Sequence, residues 1–297
     1  MSAPRTAAPA SPPQSRPARS RAGDSTLSFW RREPGRVAWV AIAVSFTAAC
    51  IALWWFVTRP GGPVSPLFLP PPMDVVDAFV RLLARPYLGS TLGQHIASSL
   101  SVVIGGWLAA GLVGLPLGIA MGWWRKARWI AFPIFQLLRP IPPLAWIPLA
   151  ILWLGIGDSA RIFVVFIAAI VPWVMNSMQA VYSIDGLLVR AAMTLGANDR
   201  QILARVVCRT ALPTLVAGAR IALGNAWTTL VAAELLAATS GLGYIALNAS
   251  RTLEIGILLV AMAIIGVLGA LFSVIMQLVT RIVAPWSRAG VEGAQGA

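Results

Sequence analysis

The length, composition and charge of this chain exclude most classes of soluble protein. It has 297 residues, of which 58% are hydrophobic and 11% charged, and its mean hydropathy is +0.78. These values indicate a polytopic membrane protein. The formal net charge of +13 would suit a nucleic-acid-binding protein, but the basic residues are spread over the loops between apolar segments. We therefore expect a lipid bilayer around the chain and no nucleic-acid partner.

Cysteine and histidine are too few to predict a metal site. The chain has Cys50, Cys208 and a single histidine, His95, which supports neither a disulfide framework nor a zinc or haem site. A lone histidine beside an apolar segment is typical of an interfacial residue, and we interpret His95 in that way. Paired intramembrane carboxylates and a Ser/His/Asp set are absent from the sequence as well, so we predict no catalytic residue, no metal and no enzyme.

The first third of the chain predicts a tail, one transmembrane helix and a short surface helix. Residues 1–36 are rich in Pro, Ala, Ser and Arg and predict a disordered basic tail. Within 37–91, the apolar run 37–57 predicts a membrane-spanning helix, and 59–72 is a proline-rich connector. Residues 73–83 predict a short surface helix lying against the membrane or the bundle. Its expected apolar stripe consists of Val76, Phe79, Val80 and Leu83.

Five further apolar segments complete an all-α fold with about six transmembrane helices. They cover 98–121, 131–153, 162–182, 212–233 and 257–279. The first of them has small residues at every fourth position from Gly106 to Gly122, which predicts a face for close helix packing. Residues 234–256 are interpreted as a connecting loop, and 287–297 as a polar tail.

The segment 131–153 is broken by prolines, which predicts a piece of a translocation path. Irregular backbone at membrane depth is tolerated where it is buried in protein or lines a water-filled cavity. Arg139 at the break and Asn176 in the next span are the candidate path residues. A kinked packing helix with Arg139 snorkelling to the cytoplasmic surface is an equal alternative.

Glu234 is the third candidate for a path or gate residue. It lies near the outer end of the fifth span, where a carboxylate is costly unless it has a partner or water. It belongs either to an outer gate or to the end of a helix, where it would bond the backbone of the following Gly-Leu-Gly turn. We expect the structural role to come first.

The polar stretch 183–213, here called the elbow, predicts two short helices hinged on one glycine. Gly196 follows the first helix where a left-handed C-cap residue would end it. Asn198 and Gln201 are spaced as a capping box that opens the second helix. A folded elbow at the surface of a membrane protein indicates a binding partner there.

The distribution of basic residues predicts the topology. Sixteen of the 23 Lys and Arg residues lie in the N-terminal tail, the loop 123–129, the elbow and the C-terminal end, against five in the opposite loops. This bias favours cytoplasmic termini and a cytoplasmic elbow. The single lysine, Lys126, follows Arg125, so the chain has no Walker A loop, and any ATP hydrolysis must come from a partner.

The elbow sequence RAAMTLGANDRQILARVVCRTALP, residues 190–213, resembles the EAA loop of permease subunits of binding-protein-dependent ABC importers. The pattern Glu-Ala-Ala, three residues, Gly is matched except that Arg190 replaces the glutamate, which puts a direct acid contact to the ATPase subunit in doubt. In the family this loop is the coupling helix that docks onto that subunit. The residues that the resemblance assigns to coupling are Arg190, Ala191, Ala192, Gly196, Ile202, Val206 and Pro213.

The similarity extends over a permease core at 92–286 and is to the nitrate, sulfonate and taurine branch, nearest to its taurine members. It implies a type I importer permease fold and a homodimer in the bacterial inner membrane. The implied partners are two cytoplasmic ATPases, which hold ATP and Mg, and a periplasmic substrate-binding protein, while this chain binds no cofactor.

The implied substrate is taurine or a related alkanesulfonate, and nitrate or another small anion is the alternative. A secondary carrier or channel that needs no ATPase is less favoured, because the sequence shows neither coupling-ion groups at midplane nor related halves.

Overall fold

The computed structural model of the protein describes residues 36–59 and 61–285. The predicted basic tail, apart from Arg36, and the predicted polar tail 287–297 lie outside these residues. In chain order the elements are α1 (Arg36–Thr58), α2 (Pro72–Ala84), α3 (Leu92–Trp123), α4 (Arg125–Leu138), a 3₁₀ turn (Pro143–Trp146), α5 (Ile147–Leu154), α6 (Asp158–Tyr182), α7 (Gly186–Thr194), α8 (Asp199–Gln201), a π turn (Ile202–Val207), α9 (Cys208–Ala237), α10 (Leu242–Arg251) and α11 (Ile255–Val283).

The described residues contain five helices that are long and apolar enough to cross a membrane. They are Val37–Thr58, Leu92–Trp123, Asp158–Tyr182, Asp199–Leu236 and Ile255–Val283. A sixth span is formed if α4 is joined to the 3₁₀ turn and α5, which meet at a bend of 88°. The predicted all-α fold with about six spans is confirmed, and the predicted break lies between α4 and α5.

The helix α1 belongs, as far as Trp54, to the first of two units of the chain, and the residues from Trp55 onwards form the second. The side chains of α1 are mostly exposed and apolar. In the second unit, α3, α6 and α9 form the central packing, with α11 against α9 and α10. Membrane exposure of apolar side chains is expected for a helix bundle surrounded by lipid.

The small residues of α3 form a packing face against α6, as predicted. A Cβ atom added at Gly106 would lie 2.6 Å from Cγ1 of Val165, and one added at Gly118 would lie 2.5 Å from the carbonyl oxygen of Val174. Neither distance leaves room for a methyl group, so these glycines let the two helix backbones approach closely.

The predicted apolar stripe of α2 does not pack on the bundle, so of the two surfaces predicted for it the membrane remains. The stripe residues Val76, Phe79, Val80 and Leu83 are all exposed, whereas Ala78 and Leu82 are buried. The helix packs on α11 through this second face. A Cβ atom added at Gly256 of α11 would lie 3.3 Å from Cβ of Ala78. These two small residues let the helices approach closely, and a hydrophobicity pattern does not identify such residues as a packing face.

The loop expected after the fifth span contains a helix, α10, which corrects the prediction. Its residues Leu242, Ile245, Ala246 and Ala249 are buried and follow the spacing of one helix face. The segment is too short to cross a membrane. It packs against α11 and α9 instead, at the outer end of the bundle by the predicted topology.

Candidate functional site

The break between α4 and α5 opens onto a cavity of about 480 Å³. Arg139, at the end of α4, lines it together with Asn176 of α6 and Asn225 of α9. The rest of the lining is apolar and includes Trp146 of the 3₁₀ turn and Ile221 of α9. The structure therefore brings two of the three predicted path residues into one cavity and adds Asn225.

The polar side chains of the cavity are held on three different elements. Arg139 is the C-cap of α4, and its backbone N–H donates to the carbonyl of Phe135 at 2.9 Å. Nδ2 of Asn176 donates to the carbonyl of Pro172, one turn earlier in α6, at 2.7 Å. Asn176 also packs on α9, since a Cβ atom at Gly218 would lie 2.5 Å from its Cβ.

Glu234 lies away from this cavity, in a buried cluster at the start of α10. Its Oε1 accepts a hydrogen bond from Oγ of Ser99 at 2.6 Å, and its Oε2 accepts one from the backbone N–H of Gly243 at 2.8 Å. Oγ of Ser99 accepts in turn from the backbone N–H of Leu242 at 3.0 Å. Side chains from α3 and α9 thus cap the N-terminus of α10, and the carboxylate also has the sign that a helix N-terminus favours.

His95 belongs to the same cluster, which corrects its interpretation as an interfacial residue. It is fully buried. Its Nδ1 accepts from the backbone N–H of Gly241 at 3.1 Å, and its Nε2 lies 3.0 Å from the carbonyl oxygen of Tyr87. Because an amide can only donate and a carbonyl can only accept, these partners require the tautomer with hydrogen on Nε2.

Arg161, one of the five basic residues that the sequence analysis counts in the opposite loops, is the cationic member of the cluster. Its side chain is 1% exposed. Nη1 donates to the carbonyl of Ser240 at 2.8 Å and lies 3.6 Å from Oε1 of Glu234, and Nη2 pairs with Asp158. The buried charges of Glu234 and Arg161 therefore compensate each other, as buried ion pairs must.

A second contact joins the turn before α3 to the start of α11. The hydroxyl of Tyr87 donates to Oε2 of Glu254 at 2.6 Å, and Oγ1 of Thr252 donates to the same oxygen at 3.1 Å. Partial burial and the hydrogen bond to this carboxylate raise the pKa of Tyr87 to about 12. The protonated phenol is therefore part of the fold at neutral pH.

The elbow folds locally as its sequence predicts. Gly196 has φ +78°, and its N–H donates to the carbonyl of Met193 at 3.0 Å while that of Ala197 donates to Ala192 at 3.1 Å. These two bonds are a Schellman motif. The capping box of Asn198 and Gln201 is present in both directions.

The second short helix of the elbow is not a separate element, which corrects that part of the prediction. The chain continues from Asp199 through the π turn into α9, and Leu236 ends the same span. Pro213 lies inside α9 and does not end a helix, because a membrane span tolerates proline when neighbouring groups satisfy the freed carbonyl.

The residues assigned to coupling divide into an inner and an outer set. Ile202 is fully buried, with Val181 and Val207 in one apolar cluster, and Ala192 packs against it. Val206 and Pro213 are half-buried, whereas Arg190, Ala191 and Gly196 are exposed. The exposed face of α7 also carries large apolar side chains that the sequence reasoning did not assign. They are Leu187, Leu188, Met193 and Leu195.

Comparison with known proteins identifies the family of this chain. Residues 114–289, more than half of the chain, match the family described as the binding-protein-dependent transport system inner membrane component. The taurine transport system permease protein TauC of Escherichia coli strain K12 is 38% identical over 248 residues, which cover 83% of this chain and 90% of that protein. The chain belongs to this permease family.

Further relatives include the other permeases that the resemblance implies. The putative aliphatic sulfonates transport permease protein SsuC of Escherichia coli strain K12 is 36% identical over 84% of this chain and 93% of its own length. The nitrate import permease protein NrtB of a Synechocystis species is 32% identical over 73% of this chain and 81% of its own. The predicted family and branch are confirmed, and the permease is a transport component of the inner membrane, not an enzyme.

The fold of the permease is that of a known importer subunit. A chain of the MetNI methionine ABC transporter, crystallised in inward-facing conformations, superposes with a TM-score of 0.58. The match has 23% sequence identity and covers 65% of this chain and 96% of that chain. The expected type I importer permease fold is confirmed.

Sequence reasoning found the cavity and the elbow of the permease but missed the partners of Glu234. The partners Ser99 and Arg161 lie far from Glu234 in the sequence, as does His95, which bonds Gly241 in the same cluster, and nothing local marks these residues. The contact of Glu234 with Gly241 and Gly243 could be predicted, because these glycines belong to the Gly-Leu-Gly turn that follows Glu234 closely in the sequence. A Cβ atom at either glycine would lie within 2.8 Å of a Glu234 atom.

Proposed function

We propose that this permease is the membrane-spanning subunit of an ATP-driven importer for taurine or a related alkanesulfonate. The observation that carries the proposal is its similarity to the taurine permease over nine-tenths of that protein's length. The aliphatic sulfonate permease, which is named for a substrate with the same headgroup, supports it.

The elbow couples the permease to its ATPase in this proposal. Its Schellman motif and capping box hold α7 at a fixed angle to α9, and the buried Ile202 joins it to α6 through Val181. A push or pull on the exposed face of α7 is therefore transmitted to the spans that line the cavity, because packed helices move as units. Such movement would alternate access to the cavity from the two sides of the membrane.

The partners follow from the same assignment. Two copies of the permease form a homodimer, two cytoplasmic ATPases bind ATP and Mg, and a periplasmic binding protein delivers the substrate. The termini and the elbow face the cytoplasm, which the distribution of basic residues supports. Arg190 stands where the family has a glutamate, and the exposed leucines of α7 give the ATPase an apolar surface that does not depend on that acid.

Nitrate or another small anion is the second candidate substrate, because the nitrate permease is also a relative. The test is uptake of labelled taurine and labelled nitrate by proteoliposomes that contain the permease, its ATPase and its binding protein. ATP is supplied on the side of the membrane that carries the ATPase. We expect saturable, ATP-dependent taurine uptake that excess nitrate does not inhibit. Nitrate uptake without taurine uptake would replace the first assignment with the second.

A further inference from the structure

We propose that the cavity at the break between α4 and α5 is a binding site for the anionic headgroup of the transported molecule, with an apolar wall for a short carbon chain. The inference rests on the proposed function, because it names how a sulfonate would be held on its way through the permease. The volume of about 480 Å³ lies in the range of small-molecule sites.

Arg139 supplies the positive charge of this site. Among residues 36–59 and 61–285, its guanidinium has neither a hydrogen bond nor an ion pair. The 14 residues of α4 place it about 20 Å along the helix from the basic first turn. Arg139 ends α4 at the break, where its side chain is exposed, and a charge inside a membrane span is costly unless water or an opposite charge meets it. The lining residues provide no carboxylate, so a transported anion is the matching partner.

Asn176 and Asn225 supply hydrogen bonds at two depths of the same cavity. Asn176 lies level with Gly218 of α9, and Asn225 is seven residues further along that helix, or about 10 Å. One Nδ2 hydrogen of Asn176 is used by Pro172, which orients the amide and leaves its second hydrogen free to donate. An anion on Arg139 can therefore bond one amide and then the other as it passes along α9.

The remaining wall decides which anions fit. The wall has an apolar surface, formed by Trp146, Ile170, Met175 and Ile221. A substrate with a carbon chain covers this surface, whereas an inorganic anion such as nitrate leaves it in contact with water, which is less favourable. Because the lining holds a guanidinium and two amides but no carboxylate, it recognises a sulfonate group and not an ammonium group. The cavity therefore accepts ethanesulfonate as readily as taurine, and selection between them occurs elsewhere in the importer.

The experiment uses proteoliposomes that contain the complete importer and measures two quantities. The first is the initial uptake rate of labelled taurine and of labelled ethanesulfonate, delivered at concentrations that saturate the binding protein. The second is ATP hydrolysis stimulated by the loaded binding protein, which reports folding and coupling. The variants are Arg139→Gln, Arg139→Lys and Asn225→Asp, and the matched control is Arg85→Gln, an exposed arginine outside the cavity.

We expect Arg139→Gln to lower both uptake rates by about tenfold or more with stimulated ATP hydrolysis unchanged. Arg139→Lys retains the charge and should recover most of the rate. Asn225→Asp should also lower uptake, since its carboxylate would pair with Arg139 and repel the anion. The control should behave as the wild type.

Wild-type uptake by Arg139→Gln would overturn the site and leave the proposed function intact. Loss of stimulated ATP hydrolysis together with uptake would also overturn it, since Arg139 would then serve the fold or coupling. If the wild-type importer transports neither sulfonate, the proposed function itself fails.

Discussion

Oγ of Ser99 lies 2.6 Å from Oε1 of Glu234, although the two residues are 135 positions apart in the sequence. Both side chains are buried, and both also bond backbone N–H groups at the start of α10. These amides have no partner within their own helix, because the first turn of any helix leaves its donors free. Glu234 therefore fastens α10 to α3 and α9, and this structural role is sufficient to explain its burial.

Replacing Glu234 by Gln should destabilise the permease. Gln has only one acceptor oxygen and no charge, so Ser99 and the N–H of Gly243 can no longer both donate to the side chain, and Arg161 loses the negative charge beside it. We expect a cost of about 2 kcal/mol. The measurement is thermal unfolding of the purified permease–ATPase complex in detergent, with Asp77→Asn as the control, because Asp77 is exposed. We expect uptake to fall only in proportion to the loss of folded complex. Normal stability and assembly with no uptake would instead make Glu234 a gate residue.

Gly241→Ala should be more damaging than its size suggests. The glycine has φ +125°, and an added Cβ atom would lie 2.3 Å from Oε1 of Glu234, so the variant suffers both backbone strain and displacement of the carboxylate. We expect a loss of about 2 kcal/mol or more in stability. Gly93→Ala is the matched control, because nothing lies within 4 Å of its added Cβ atom. Equal melting temperatures for the two variants would contradict the packing described for Glu234.

Gly196→Val should weaken association with the ATPase. No atom lies within 4 Å of an added Cβ, so the effect comes from φ +78° alone, which a β-branched residue resists. Gly186→Val tests this directly, since Gly186 has equally open space but ordinary helical φ. Co-purification of the ATPase with a tagged permease is the measurement. If Gly196→Val retains the ATPase and transports as the wild type does, the elbow geometry has no part in coupling.

The raised pKa of Tyr87 predicts that the free energy of unfolding falls at alkaline pH. Its pKa rises from 10.0 to about 12 in the folded state, so the protonated phenol is bound more tightly there than in the unfolded chain. The stabilisation is complete below pH 10 and is lost as the pH rises towards 12. Unfolding midpoints measured across this interval should fall further for the wild type than for Tyr87→Phe. Parallel curves for the two proteins would show that the bond to Glu254 contributes nothing.

The parts of the fold that depend on local sequence were predictable. Apolar runs gave the spans, and the spacing of Gly196, Asn198 and Gln201 gave the caps of the elbow, because both signals act within a few residues. The face by which α2 packs on α11 was not predicted, since that contact depends on the small side chain of Ala78 meeting Gly256 and not on hydrophobicity.

The buried cluster around Glu234 could not be predicted from the sequence, because its members come from three helices and one turn. Arg161 looks like a loop charge, and only the tertiary arrangement shows that it meets Glu234 and Ser240. The helix α10 did carry a sequence signal in the spacing of its apolar residues. The cavity was predicted in part, because prolines mark irregular backbone, but the approach of Asn225 depends on how α9 packs.

The central element of the proposed function is that this permease transports only as part of an ATP-driven importer. The most direct measurement is the initial rate of labelled-taurine uptake by proteoliposomes from which the ATPase, the binding protein or ATP is omitted one at a time. We predict rapid uptake by the complete system and no uptake above protein-free vesicles in each omission. Taurine uptake by the permease without its ATPase would contradict the account and indicate a carrier or channel.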